Sequence, residues 1–350
     1  MRADSIMPLR VETSPVVHIP MYSADGADDG TVRYMVQMLL TCLGSYFAHG
    51  NTYDVLVTTN DWRTLEVLIA YQAKTRYPFQ LRLVTREQLR EAFQTNENCL
   101  GDLTCMRTIF SKFFPIMTRQ CDAILHVDCD TIFLRKVDLS PLFVSPIGVI
   151  DGSRFERSPL WSPTESQIDF LGIPTPVKPV ARWMNSGVFA VQGSGFQLCQ
   201  REVRHYLENV DRARADFLIH GNSDELIMNG LALKERDAVA VLPHYGYNFV
   251  AYYLKYDPAW TQHAQIVHFH SLKPDAYWYG DGVVRHRCDG IQAQRISEDF
   301  YLAVLMWFRY LHRACHALPF EFPMCSLMPL EIVEKELAKR GRAKVEIASV

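Results

Sequence analysis

The chain has 350 residues, of which 48% are hydrophobic and 21% charged, and a formal net charge of -3. That composition is the composition of a soluble globular protein whose core can be large enough to need no disulfide or structural metal. The mild negative charge argues against sequence-independent binding to DNA or RNA, which needs a strongly basic face.

The nine cysteines, Cys42, Cys99, Cys105, Cys121, Cys129, Cys199, Cys288, Cys315 and Cys325, are odd in number, and no pair has the close spacing of a zinc site or redox dithiol. They read as small buried apolar groups in a reducing compartment, so the expected location is cytoplasmic. Arg2, Asp4, Arg10 and Glu12 interrupt the first twenty residues, which leaves no apolar segment of the signal-peptide kind there. The run Phe300 to Phe308 is far short of the ~20 apolar residues of a membrane span. Peripheral contact with a membrane surface stays open.

In chain order, Val16 to Ile19 reads as a first buried strand, running into an acidic, turn-rich loop from Ser23 to Gly30. That loop lacks the regular oxygen spacing and closing Glu of a calcium site, and reads as a solvated helix start. Val32, Met35, Val36, Leu39, Leu43, Tyr46 and Phe47 form one apolar helical stripe. Tyr53 to Thr58 is a strand, Trp62 to Lys74 a helix, Phe79 to Val84 a strand, Cys105 to Met117 a helical segment, and Ala123 to Val127 a strand. This alternation predicts a doubly wound α/β sheet, in which ligands sit at the carboxyl ends of the strands. Further strands are expected at Gly148 to Ile150, Gly187 to Val191 and Gln265 to Phe269. Helices are expected at Gly195 to Glu208, Ser223 to Leu233, Glu298 to Cys315 and Pro329 to Lys339.

The acidic pair Asp128 and Asp130 stands at the end of the strand from Ala123 to Val127. Read as extended chain, the pair presents two carboxylates on one side, with Cys129 on the other. Two carboxylates at the mouth of a sheet call for a hard cation, which would also neutralise a departing diphosphate. Capping of a following turn is the bland alternative. A phosphatase of the haloacid dehalogenase type also places Asp-x-Asp after an apolar strand. That class normally carries Thr where Ile132 stands, and its motif usually lies on the first strand.

Five segments in order resemble glycosyltransferase family 8, the retaining enzymes that include glycogenin and lipooligosaccharide galactosyltransferases. Cys121 to Thr131 resembles that family's apolar strand ending in Asp-x-Asp-Thr. Trp183-Met184-Asn185-Ser186-Gly187-Val188-Phe189 resembles its aromatic-Asn-Ala-Gly segment, and Asp224 to Asn229 its Asp-Gln-x-x-x-Asn helix start. Leu242-Pro243 with Tyr247-Asn248 matches another recurring piece, and Val267 to Pro274 its His-aromatic-x-Gly…Lys-Pro block. The matches run from about residue 15 to 280.

The resemblance implies a GT-A nucleotide-diphospho-sugar transferase fold: an α/β domain over residues 1–290, with a mixed, mostly parallel central sheet flanked by helices. Residues 291–350 would be a helical C-terminal extension packing on or beside it. It implies Mn2+ or Mg2+ held by Asp128, Asp130 and His268, with His270 as a backup, and a UDP-sugar as donor. Lys273 would pair with the diphosphate, Lys112 of Ser111-Lys112 would lie near the donor, and Pro20, Met21 and Tyr22 would face the base. Asn185, Asp224 and Glu225 would be the catalytic set around the sugar.

Three departures stand out: Ser271 replaces a usual Gly, Trp278 is displaced from Lys-Pro, and Glu225 takes the place of a Gln near the anomeric carbon. Glu225 is read as a supporting or helix-start carboxylate ahead of a nucleophile. The expected activity is metal-dependent, retaining hexosyl transfer to an unidentified acceptor: a glycan, lipid-linked glycan or protein. The runner-up is a catalytically degenerate sugar-nucleotide or carbohydrate-binding protein on the same scaffold.

Overall fold

Short Val-, Ile- and Leu-rich segments bounded by turn residues make the first four strands: β1 (Val16–Met21), β2 (Asp54–Thr59), β3 (Phe79–Leu83) and β4 (Ala123–Val127). β1 and β4 are buried at every position, as strands are when helices cover both faces of a sheet. The structure, a computed structural model, describes residues 15–23, 26–95, 97–102, 105–151, 165–173, 184–211, 223–242, 244–250, 264–269, 277–280, 283–286, 298–318 and 329–339.

Three of the helices between these strands start where the sequence supplies a cap. Asp28 accepts from the Thr31 N–H to open α1 (Asp29–Ala48), so the acidic loop is a helix start as expected. Asp61 caps α2 (Trp62–Thr75), and Thr85 forms a capping box with Gln88 to open α3 (Arg86–Phe93). A short helix, α4 (Glu97–Leu100), precedes the region expected as one helix from Cys105 to Met117. There the chain makes a π-helical turn over Cys105–Phe110 and continues as α5 (Ser111–Met117). The wider turn leaves Arg107, Thr108, Ser111 and Lys112 on one wall of a cavity, and π-turns often sit at functional sites.

The chain continues through β5 (Thr131–Phe133), β6 (Ile147–Asp151), α6 (Glu165–Leu171), β7 (Met184–Gln192), α7 (Gly195–Glu208), α8 (Ser223–Lys234), β8 (Val239–Leu242) and α9 (His244–Tyr247). Then follow β9 (Phe249–Val250), β10 (Ile266–His268), the hairpin β11 (Tyr277–Gly280) with β12 (Val283–His286), α10 (Glu298–His316) and α11 (Leu330–Lys339). The main sheet has the order β3-β2-β1-β4-β7-β6-β8. β7 runs antiparallel to β4 and β6, while the other pairings are parallel. This is the mixed, mostly parallel, helix-flanked sheet that the alternation and the motifs led one to expect.

Alternation along each strand sorts the core in two. Val17, Ile19 and Met21 of β1, with Leu125 and Val127 of β4, pack under α1 and α10. Val16 and Ile124 face the opposite layer with Phe113, Phe196 and Leu226 from α5, α7 and α8. The C-terminal helix α10 buries Leu302, Val304, Leu305, Phe308 and Leu311 in the first layer, and α11 adds Val333 and Leu337. None of the described helices is long and apolar enough to cross a membrane.

Candidate active site

The Asp128 to Asp130 stretch is a turn rather than extended chain, which corrects the expected geometry. β4 stops at Val127, and the Asp128 N–H is taken by the Gly187 carbonyl at 2.8 Å. Cys129 therefore does not point away from the acids; it lines the same cavity as Asp128 and Asp130.

Backbone pairing brings a distant imidazole to this turn. β10 runs antiparallel to β5 with His268 opposite Thr131, and the Phe269 N–H donates to the Asp130 carbonyl at 2.9 Å. His268 Nε2 then lies 3.2 Å from Asp130 Oδ1 and 3.7 Å from Asp128 Oδ2. One ligand atom from each of Asp128, Asp130 and His268 falls within 4.8 Å of the other two. Gly187 makes room for this approach: a Cβ there would sit 2.3 Å from His268 Cε1, inside any van der Waals contact.

The hydrogen-bond network fixes which imidazole nitrogen faces the acids. Asn185 Nδ2 donates to Glu225 Oε1 at 3.0 Å, so Asn185 Oδ1 accepts, from the Gly187 N–H at 2.9 Å and from Asn248 Nδ2 at 2.7 Å. Asn248 thereby turns its Oδ1 to His268 Nδ1, 3.0 Å away. An amide oxygen only accepts, so Nδ1 carries the proton. Burial, the largest influence, lowers His268 to about 4, so the ring is neutral near pH 7. Its Nε2 then presents a lone pair to two carboxylates. Three acceptors converging in a buried place repel one another unless a cation joins them. A neutral imidazole with carboxylates is the donor set that suits Mn2+ or a similar divalent ion, so the residues fit the implied metal.

Lys112 closes the other side. Its Nζ is 2.8 Å from Asp128 Oδ2 and 2.6 Å from Asp224 Oδ2, and 3.2 Å from Ser186 Oγ. Burial by itself would push Lys112 down, but the two carboxylates raise it above the ordinary lysine value. The same pairing acts on Asp128: burial would raise it, while Lys112 and the hydrogen bond from His126 hold it well below the usual carboxylate range. Ser186 Oγ also donates to Asp224 Oδ2 at 2.6 Å. Asp224 and Glu225 open α8, where acids in the first turn face the positive end of the helix.

Around these groups lies a cavity of about 490 Å³, a size suited to a small-molecule ligand. Its acidic end holds Asp128, Asp130, Asp224, Glu225 and His268; its apolar wall holds Met21, Tyr22, Tyr34, Met35 and Met38. Pro20, Met21 and Tyr22, expected to face a nucleobase, all line it, as does Lys112. Asn185 stands one contact back, behind Glu225 and His268. Lys273, His270 and Ser271 lie outside the described residues, as do the Trp183 position and the side chain of Trp278.

Several participants were not singled out from the sequence. Ser186 and Asn248 stood inside quoted motifs without a role, and Arg107 lay one turn before Ser111-Lys112. His126 was passed over as part of an apolar strand. Its position two residues before Asp128, hence on the same strand face, was the available signal.

No family model matches the sequence, and no curated protein matches it. Similar solved structures include the galactosyltransferase LgtC in complex with donor and acceptor sugar analogs, at 15% identity and a TM-score of 0.45, over 93% of this chain and 99% of that one. An active site mutant of LgtC matches at 16% identity and a TM-score of 0.47, over 90% and 98%. The apo-form glycosyltransferase GlyE of Streptococcus pneumoniae TIGR4 matches at 14% and 0.47, over 94% and 64%. At these identities and scores the reading of the site rests on its own residues and distances.

Proposed function

We propose that this chain is a metal-dependent glycosyltransferase that moves a hexose from a UDP-sugar to an acceptor hydroxyl with retention of configuration. The observation that carries the proposal is the meeting of Asp128, Asp130 and the Nε2 lone pair of His268 at one end of a cavity, on the carboxyl side of β4. The UDP donor and the retaining outcome rest on the motif resemblance, and the cation rests on the donor set.

A bound divalent cation would supply charge stabilisation for the departing diphosphate. The chain's own residues do the rest. Asp128, Asp130 and His268 would hold the ion, and Asn248 keeps the His268 ring in the ligating tautomer. Lys112 holds Asp128 and Asp224 in place from between them. Asn185 orients Glu225, whose buried carboxylate is suited to face positive charge at the anomeric carbon. The apolar wall from Met21 to Met38 is the natural seat of a base, with Tyr22 on it. Lys273 would meet the diphosphate, and scattered thiols with no close pairing suit a cytoplasmic location.

The phosphatase alternative ranks behind because Ile132 stands where that class normally carries Thr and because β1, β2 and β3 precede the strand that carries Asp128. The test is Mn2+-stimulated donor hydrolysis across a panel of nucleotide sugars. Turnover of at least one UDP-hexose, lost in excess chelator, is the expected result. Binding without turnover would favour the degenerate binding protein, and undiminished turnover in chelator would overturn the metal's role.

A further inference from the structure

Behind Asp128, away from the cavity, a line of polar groups runs through the interior of the sheet. Asp128 Oδ1 lies 2.9 Å from His126 Nε2. The His126 and His18 Nδ1 atoms face each other across a longer 3.5 Å, and His18 Nε2 lies 2.8 Å from Thr58 Oγ1. The line crosses three neighbouring parallel strands, β2, β1 and β4, with His18 in register with His126. Both rings have no exposed surface. His126 is also clamped by Phe189 of β7, whose ring stacks on it at a centroid distance of 4.8 Å.

The donors along this line follow from its end. An ionised carboxylate only accepts, so His126 Nε2 carries the proton. The two facing Nδ1 atoms cannot both donate, so with the proton of a neutral His126 ring on Nε2, its Nδ1 accepts from His18 Nδ1, and His18 Nε2 accepts from the Thr58 hydroxyl. Two buried imidazoles are a costly way to fill space, and a pair of phenyl rings would fill it without that penalty.

We propose that Thr58, His18 and His126 form a buried brace that fixes the orientation of the Asp128 carboxylate for cation binding. His126 is a positioning residue. It holds Oδ1 from behind while Lys112 holds Oδ2 from the side, so the carboxylate plane cannot rotate and its remaining lone pairs face the cavity. Hydrogen-bonded partners behind metal ligands commonly set ligand geometry in this way. The proposal rests on the cation reading of Asp128.

The test measures Mn2+ binding to the full-length chain, with Mn2+ alone as the probe, by the electron paramagnetic resonance signal of the free ion. His126→Phe should weaken binding about 10- to 100-fold, the usual range for losing such a partner. His126→Gln, whose amide nitrogen reaches the Nε2 position, should recover most of that loss at equal thermal stability. His18→Phe, distant from the ligands, should weaken binding in the same direction but less, with His18→Asn restoring it by supplying a donor at the Nδ1 position. This second pair decides the matter if His126→Phe does not fold. Equal Mn2+ affinity in the unaltered chain and in folded Phe variants overturns the brace while leaving the cation site standing. Absence of Mn2+ binding to the unaltered chain overturns both.

Discussion

The turn at the end of β4 and the helical layer where α10 lies on α1 are both buried, yet they are built from opposite materials. Around the turn, Lys112, Asp128, Asp130, Asp224, Glu225 and His268 crowd together, each less than about a quarter exposed along its side chain or fully interior. In the helical layer the buried groups are Leu302, Val304, Leu305, Phe308 and Leu311 against Leu39, Leu40 and Leu43. Apolar burial stabilises at about 25 cal/mol per Å², whereas burying charge is neutral at best even when paired. The first region gathers charged groups suited to holding a cation; the second holds the fold. Removing an acid from the first region should therefore cost function at little cost in stability, whereas truncating an apolar group in the second should cost stability first.

The largest effect should come from Asp130→Ala. Losing a ligand that serves a developing charge is worth several kcal/mol, so transfer should fall about a thousand-fold or more. Stability should hold or rise, because one of the converging acceptors is gone; thermal melts alongside donor hydrolysis check both halves. A melt that collapses with activity would break the contrast between the two regions.

Lys112→Met probes the same region from the other side. It leaves Asp128 and Asp224 without the ammonium between them, and breaking a buried pair this way costs about 3–5 kcal/mol. Urea unfolding should show that loss, and added Mn2+ should restore part of it by replacing the missing positive charge. In the helical layer, Leu305→Ala should cost about 2–5 kcal/mol by cavity formation. Its folded fraction should keep the cation dependence of the unaltered chain.

Gly187→Ala sharpens the geometry. The added methyl would meet His268 Cε1 at 2.3 Å, and a forced shift of this kind costs about 1–3 kcal/mol. Its signature should be a raised Mn2+ requirement at little change in donor KM. The smallest effect concerns His49, which bonds Tyr310 of α10. Burial, with a lesser contribution from Arg135, lowers this imidazole to about 4, against an ordinary value of 6.5. The folded state thus binds fewer protons than the unfolded one between these values. His49 should withdraw stability as pH falls from about 6.5 towards 4, and His49→Gln should flatten that part of the pH-stability curve.

The elements with a strong apolar pattern were legible in the sequence. Val16 to Ile19, Tyr53 to Thr58 and Ala123 to Val127 formed strands because a sheet covered on both faces takes short continuous apolar runs. The stripe from Val32 to Phe47 formed α1 because helix burial imposes a helical period. The weakly patterned pieces were not. The helix at Arg86–Phe93 carries only Leu89 and Phe93 to the core, and the hairpin of β11 and β12 went unread although the Asp281-Gly282 pair between its strands is a two-residue turn signal. The Asp-x-Asp motif announced a pair of carboxylates but not their conformation, since an extended segment and a turn can each present both acids to one cavity.

The sequence by itself determined the inventory: an acidic pair after an apolar strand, a candidate imidazole and Lys112, in an order resembling one enzyme family. Only the tertiary structure decided which of these meet and in what protonation state. His268 reaches Asp130 because β10 pairs with β5 across more than a hundred residues of chain, and its Nε2 faces the acids because Asn185 and Asn248 leave no other tautomer. The line from Thr58 to His126 exists only because β2, β1 and β4 are neighbours in the sheet. Such relations depend on strand register and on the sum of hydrogen-bond constraints, and neither is local to any stretch of residues.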